Sequence, residues 1–470
     1  PEALNHPAGL AVDANGNLYV ADVGNHRVVR YPNPPQKWGG VGSRLLPDFV
    51  VGQPNLTSNT ANAAGAPTAT SLRFPTVANV AGSAANVGIA IDSAGNLWVT
   101  DTLNHRVLRY PASALGQSNG PAADLVLGRA TFTDGTTPST TNNLANRQNK
   151  SITVNPRGVA YLPGTNQLAV VDSFGRVLVY QNPSSNGQAA SRILGVPTSA
   201  ELSAGIQASR KILGSSFGVF AASDSRIGVV DSANNRILIY QESSGWISEA
   251  QQFSPNASVL VGQVNFEDRG ENSGQGVPHE NGFTRPFGAA VSGGRLIVLD
   301  TGNHRATVHT INDQFVNAAD VVLGQAKFSG SAPNYPEGRE VNLPAGIAFD
   351  FGTDPPRVYV ADAGNNRVLG FRSVQRMRNQ EPADIVIGQP DFNTTVVNYP
   401  NGNVEQPSQT GLSSPRGVAV DQDGNVWVAD SNNGRVLRFP RPDFDNPTSL
   451  PNADVVLGQS SFTSRILTPT

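Results

Sequence analysis

The stretch Pro7 to Tyr31 reads PAGLAVDANGNLYVADVGNHRVVRY, and its pattern returns to the end of the chain, where Pro415 to Phe439 reads PRGVAVDQDGNVWVADSNNGRVLRF. Seven versions can be counted, and each predicts short β-strands. Gly9 to Val12 is a small apolar run suited to a packed inner strand. Asp13 to Asn17 supplies the Asn and Gly that tolerate positive φ, so the chain reverses in a hairpin. Leu18 to Ala21 and Val28 to Tyr31 are rich in β-branched and aromatic residues and make the second and third strands. A fourth strand carries its own signature, seen at Phe49 to Gln53, Leu125 to Arg129, Val259 to Gln263, Val321 to Gln325, Ile385 to Gln389 and Val455 to Gln459.

Four antiparallel strands cannot bury both faces alone, whereas seven such units stacked in a ring bury them all. The expectation is an all-β chain, a seven-bladed β-propeller of four-stranded antiparallel blades forming one domain over residues 1–470. The blades fall at about 1–58, 72–134, 151–200, 212–268, 283–330, 341–393 and 412–463. An Asp closes every second strand, and an Arg follows five positions later in the pairs Asp22 and Arg27, Asp101 and Arg106, Asp231 and Arg236, Asp300 and Arg305, Asp362 and Arg367, and Asp430 and Arg435. Blade three has lost one loop residue, so Arg176 lies four after Asp172. A device repeated in every blade reads as structural, each Arg tying its loop to a neighbour through the carboxylate.

The unit resembles the NHL repeat, whose Asn-His pair stands here as Asn25-His26, Asn104-His105 and Asn303-His304. Blade three lacks the pair, and Asn or Gly replaces His in blades four, six and seven. The added GQ-x-x-F element, as in Gly388 to Phe392, resembles a bacterial subfamily of secreted or surface proteins. The resemblance to animal members implies RNA recognition. Against it stand a formal charge of -3, four Lys against twenty-nine Arg, and no basic stripe along the sequence.

Cysteine is absent, which removes disulfides, thiolate metal sites and cysteine nucleophiles. No apolar run reaches the eighteen or more residues of a membrane helix, so no membrane span is expected. The chain starts at Pro1, and ALNHPAG is a shortened form of the VNLPAG lead-in of blade six, which points to a removed leader or a longer gene product. Abundant Asn, Thr, Ser and Gly with sparse Lys point to an exported protein, extracellular or at the cell surface.

Up-and-down threading puts the second-to-third loops on the rim that also carries the connections between blades. Those connections are long, as at Pro54 to Pro75, Ala130 to Pro156 and Pro390 to Pro415, so this upper rim is the candidate functional face. Blade three is irregular: Arg192 to Gly195 is its expected fourth strand, ahead of Lys211 to Gly214, with a small helical insertion between.

The inner strands GLAV, GIAI, GVAY, GVFA, GAAV, GIAF and GVAV carry no carboxylate or His. NHL-like propellers resemble metal-dependent amidating lyases and calcium-holding lactonases, and such chemistry would place ligands there. His26, His105 and His304 are spread round the ring, His309 lies on a third strand, and only His6 and His279 reach toward the channel mouth, fewer than the three ligands of a catalytic zinc. The DANGN-type turns lack the length and closing Glu of a calcium loop. No cofactor is therefore expected. Arg157 and Arg416, each in a PRG sequence, are a candidate positive spot at the mouth or else loop anchors. Trp38 and Trp246 lie in third-to-fourth loops as candidate contacts for a protein or sugar, or pack beneath their own loops. The GQ glutamines are expected to bond exposed backbone where the fourth strand ends. The reading is a non-catalytic extracellular binding or scaffold module for a protein or glycan, with a metal-dependent lyase or lactonase and a self-associating surface-layer or filament subunit as alternatives.

Overall fold

Seven antiparallel sheets follow one another along the chain, each formed from four consecutive strands. The computed structural model describes residues 4–33, 46–75, 87–216, 218–311, 318–333, 340–379, 381–445 and 451–467. In blade one Pro7–Val12, Leu18–Asp22, Arg27–Tyr31 and Phe49–Val51 pair in order. The second and third strands are almost wholly buried, as their apolar sequences demand, while the first strand is half-buried. The reason is its position: first strands of neighbouring blades touch all the way round, blade seven against blade one included, and so wall a central channel.

The hairpin between the first two strands is closed by its Asp. Asp13 Oδ1 accepts from the Asn15 and Asn17 N–H groups, and Oδ2 accepts from the Asn17 amide and the Tyr19 hydroxyl. Asp92 and Asp421 do the same in blades two and seven, where Oδ2 takes the indole N–H of Trp98 or Trp427. Both indoles are buried in the core. The carboxylates of these turns are thus engaged by the hairpin itself.

Blade three takes Arg192–Leu194 as its fourth strand, and a short helix at Ser199–Ser203 follows, opened by a Thr198 and Glu201 capping box. Among the described residues no strand is exchanged between the chain ends. Instead the ring closes by packing: Leu4, Leu18 and Val20 share a core with Trp427, Val436 and Leu457. Leu4 N–H donates to the Gly458 carbonyl, and the Ser431 hydroxyl donates to the Pro7 carbonyl. The sequence also leads one to expect Ser460 to Thr470 to cross the rim and meet the lead-in at Pro1; that crossing falls within the described residues only from Leu4 and as far as Leu467.

Outer strand edges are strapped by the next blade, which limits their exposure to strand addition. Asn119 Oδ1 accepts from Val50 N–H while Gly120 N–H donates to the Val50 carbonyl. Asn186 and Gly187 repeat the arrangement on Val126.

Candidate functional site

The second-to-third loop is a single 3-10 turn ending in a left-handed residue, as at Val23–Asn25 followed by His26 with φ 52°. That turn folds back so that Asp22 and Arg27 meet at 2.6 Å with neither side chain exposed. The same full burial holds for the other six pairs. In blade four the Asp231 carboxylate accepts from Arg236 Nε, from the Asn234 amide and from Gly214 N–H in the blade's own lead-in. Arg236 then reaches the Phe266 carbonyl in the connection beyond the fourth strand and the Ile212 carbonyl in the lead-in. One guanidinium therefore gathers three chain segments at the upper rim, using its planar fork of donors. Blade three has no aromatic at the matching position, and Arg176 instead takes carbonyls of Asn146, Arg147 and Asn149 at the end of the helix Leu144–Gln148. The seven charges face the scaffold, not solvent.

The GQ glutamine bonds backbone where the fourth strand ends, as expected, but in a different setting. Its Gln is buried rather than at exposed backbone. Gln389 Nε2 donates to the Asn366 carbonyl in the second-to-third loop and to the Val396 carbonyl seven residues on, and its Oε1 accepts from Val396 N–H. The preceding Gly388 has φ 93°, and a Cβ there would lie 2.8 Å from Leu412 Cδ1 of the next lead-in. Glycine is required on both counts.

The repeated His also has a role that the sequence alone did not show. His26 Nδ1 accepts from Phe74 N–H, His105 Nδ1 from Asn155 N–H and His304 Nδ1 from Leu343 N–H, each across to the following blade. Asn235 and Asn366 do the same work through Oδ1, accepting from Arg285 and Ser414. Burial lowers the pKa of all three imidazoles, and for His105 nearby Arg129 and Arg73 add to the effect, bringing it to about 4.

The candidate binding residues separate. His6 and Arg416 come together where blade one meets blade seven: burial and the Arg416 and Arg465 charges lower the His6 pKa, against a smaller opposite effect of Asp22. Arg416 is exposed to solvent yet walled closely enough for desolvation to lower its pKa. Its side chain makes no hydrogen bond or ion pair among the described residues, so it is not a loop anchor. Arg157, half-buried, belongs to blade three and does not join His6 and Arg416. Arg285, exposed at the lead-in of blade five, is another cation without a side-chain partner among the described residues. His279 does not serve the mouth, because its ring is engaged by its own loop: Nε2 is 2.8 Å from the Asn272 carbonyl and Nδ1 accepts from Asn281 N–H. Trp246 packs on the core between blades three and four and donates to the Gln241 carbonyl, beneath its own loop. Trp38 lies outside the described residues.

Among the described residues no group of three His, Asp or Glu is placed to hold a metal ion, and no helix is long and apolar enough to cross a membrane.

The family model for the NHL repeat matches residues 4–31, 87–110 and 412–439. No curated protein sequence matches the chain. Similar solved structures include a streptogramin B lyase, at 10% identity over 92% of each chain with a TM-score of 0.46. Virginiamycin B lyase from Staphylococcus aureus shows 13% identity over 91% of this chain and 93% of that one, with a TM-score of 0.45. The Cps50 (Swd1) β-propeller domain of Myceliophteria thermophila shows 8% identity over 93% and 97%, with a TM-score of 0.50. At these identities the likeness concerns the fold alone. The family model thus finds NHL repeats in three blades, and the seven four-stranded sheets closed in a ring make the chain a seven-bladed β-propeller.

Proposed function

We propose that this propeller is a non-catalytic binding module, exported to the cell surface or beyond, which engages an acidic protein or glycan partner through its upper face. The observation that carries the reading is the unspent positive charge at the channel mouth. Seven arginines of the upper rim are buried in ion pairs. Arg285 and Arg416, by contrast, stand exposed at the lead-ins of blades five and seven with no carboxylate partner among the described residues. Cations left unpaired on a rigid rim cost little to hold ready for an anionic group, and their attraction also speeds encounter. The long connections between blades border the same mouth and supply the surface on which specificity would rest. The repeat histidines and carboxylates are engaged in scaffold hydrogen bonds, which favours binding over catalysis.

The test is biolayer interferometry of the chain against acidic peptides and uronate-bearing polysaccharides, with neutral glycans as controls. Salt-sensitive, saturable binding to one acidic class supports the reading. Binding confined to neutral glycans, or turnover of a lactone or hydroxyglycine peptide, would refute it.

A further inference from the structure

Blade two departs from its sister blades at two positions that converge on one loop. Five blades carry Gln after the Gly that ends the fourth strand, at Gln53, Gln263, Gln325, Gln389 and Gln459, whereas blade two carries Arg129. The Gln side chains spend their amide N–H groups on carbonyls of the second-to-third loop and of the connection that follows, as Gln53 does with His26 and Thr60. Arg129 does not take over that work. It is only 3% exposed, its Nη1 makes one long contact of 3.4 Å to the Gly128 carbonyl, and its Nε and Nη2 have no partner. The carbonyl it would have reached, that of His105, is taken by the Thr153 hydroxyl at 2.6 Å. A buried guanidinium with idle donors is costly unless something accepts from them.

The second departure is Arg73, which occupies the lead-in position filled elsewhere by Asn5, Val154, Gly214, Thr284, Asn342 and Ser413. Its backbone N–H donates to Asp101 Oδ1 and its carbonyl accepts from Leu103 N–H, so the residue is fixed against the same loop. Its side chain is exposed and makes no hydrogen bond among the described residues. Both arginines act by their charge on His105, in the same loop. Because Nδ1 accepts from Asn155 N–H, the neutral ring carries its proton on Nε2, which is a third donor. The carboxylates nearby are otherwise engaged. Asp101 is spent on Arg106, Asn104 and Arg73 N–H, and Asp134 Oδ1 accepts both the N–H and the hydroxyl of Thr136. Asp134 is near enough for its charge to act on Arg129, yet Nε and Nη2 of Arg129 find no acceptor in it.

We propose that the upper end of blade two is an oxyanion receptor, in which Arg129, Arg73 and the Nε2–H of His105 hold a phosphate, sulfate or carboxylate group. A site made of donors, two of them permanently charged, selects an anion with several acceptor oxygens over a neutral ligand. Burial and the charges of Arg129 and Arg73 lower the pKa of His105, which places its ring within reach of both charges. The site stands apart from Arg285 and Arg416 and does not depend on the reading of the mouth.

The experiment is thermal unfolding of the whole chain titrated with inorganic phosphate, sulfate or glucuronate at constant ionic strength, with chloride as reference. Arg129→Gln restores the residue of five sister blades and is expected to fold. The wild type is expected to gain stability saturably with at least one oxyanion, and R129Q to lose that saturable part while keeping the linear salt effect of sulfate and phosphate on any protein. Asp134→Asn removes the carboxylate whose charge acts on Arg129 and is expected to tighten oxyanion binding severalfold. A response to phosphate and sulfate alone marks a free inorganic ion or phosphoryl group as ligand, and a response to glucuronate marks an acidic sugar. No saturable gain with any of the three, or an equal gain in R129Q, overturns the proposal. So does a D134N variant that is destabilised and loses the response, since Asp134 would then be the partner of Arg129.

Discussion

Replacing Arg236 by Met tests whether the Asp and Arg ring is scaffold. The substitution keeps much of the apolar stem but removes every donor. Asp231 would retain the Gly214 N–H and the Asn234 amide yet lose its directly paired counter-charge, at 2.8 Å, in a site with no exposure. Leaving one member of a buried pair uncompensated costs about 3–5 kcal/mol. The Phe266 and Ile212 carbonyls lose their donor as well, although those at the rim can turn to water. A loss of about 4 kcal/mol is expected, near a thousandfold in the folding equilibrium. Unfolding entropy of about 2.1 cal/mol/K per residue over 470 residues converts this to a fall in Tm of about 4 °C. Urea unfolding followed by far-UV circular dichroism reads the change in midpoint. The double variant Arg236→Met with Asp231→Asn discards the orphaned charge while keeping an acceptor for Gly214 N–H, and it should recover about half of the loss. A single variant within about 1 kcal/mol of wild type, or a double variant worse than the single, would refute a scaffold role.

The His105 imidazole must be neutral for Nδ1 to accept from Asn155 N–H, and its folded pKa is lowered from 6.5 to about 4, first by burial and then by Arg129 and Arg73. Between those values the unfolded chain binds more protons than the folded one. This share of stability is complete above pH 6.5 and declines as pH falls, levelling off below about 4. His105→Asn, with the acceptor used by blades four and six, should stay folded and flatten the acid limb of a stability profile; an unchanged profile would rule this out. Gly388→Ala forces a Cβ into positive φ and against Leu412, and should cost about 2–3 kcal/mol in urea unfolding; a cost below about 0.5 would remove the geometric reason for the GQ glycine.

The fold was legible because its signal repeats. DANGN, the Asp and Arg pair and the apolar runs predict strands and turns from local chemistry, and seven copies leave a ring as the way to bury them. Blade three was readable even where irregular, since Arg192 to Gly195 lies at the usual distance from Tyr180. Less legible was how the side chains of the rim are spent. Gln389, His26 and Asn119 act on backbone groups of other segments or blades, and such contacts depend on the ring already being closed. Arg416 and His279 both looked able to reach the mouth, but only the path of each lead-in separates an exposed guanidinium from an imidazole engaged by its own loop. Arg129 did leave a sequence signal, a GR where five of the other six blades end in GQ. Its meaning needed the structure, in which the Gln hydrogen bonds are visible and those of Arg129 are not.

The most direct test of the binding account compares charge reversal on the two faces. Arg285→Glu with Arg416→Glu alters the mouth, and Arg378→Glu alters an exposed position in the third-to-fourth loop of the opposite rim. Against the acidic ligand bound by wild type, the upper-face variant is predicted to lose at least tenfold in affinity and the lower-face variant less than twofold. Equal losses in both, or none in the upper-face variant, would contradict recognition through the upper face.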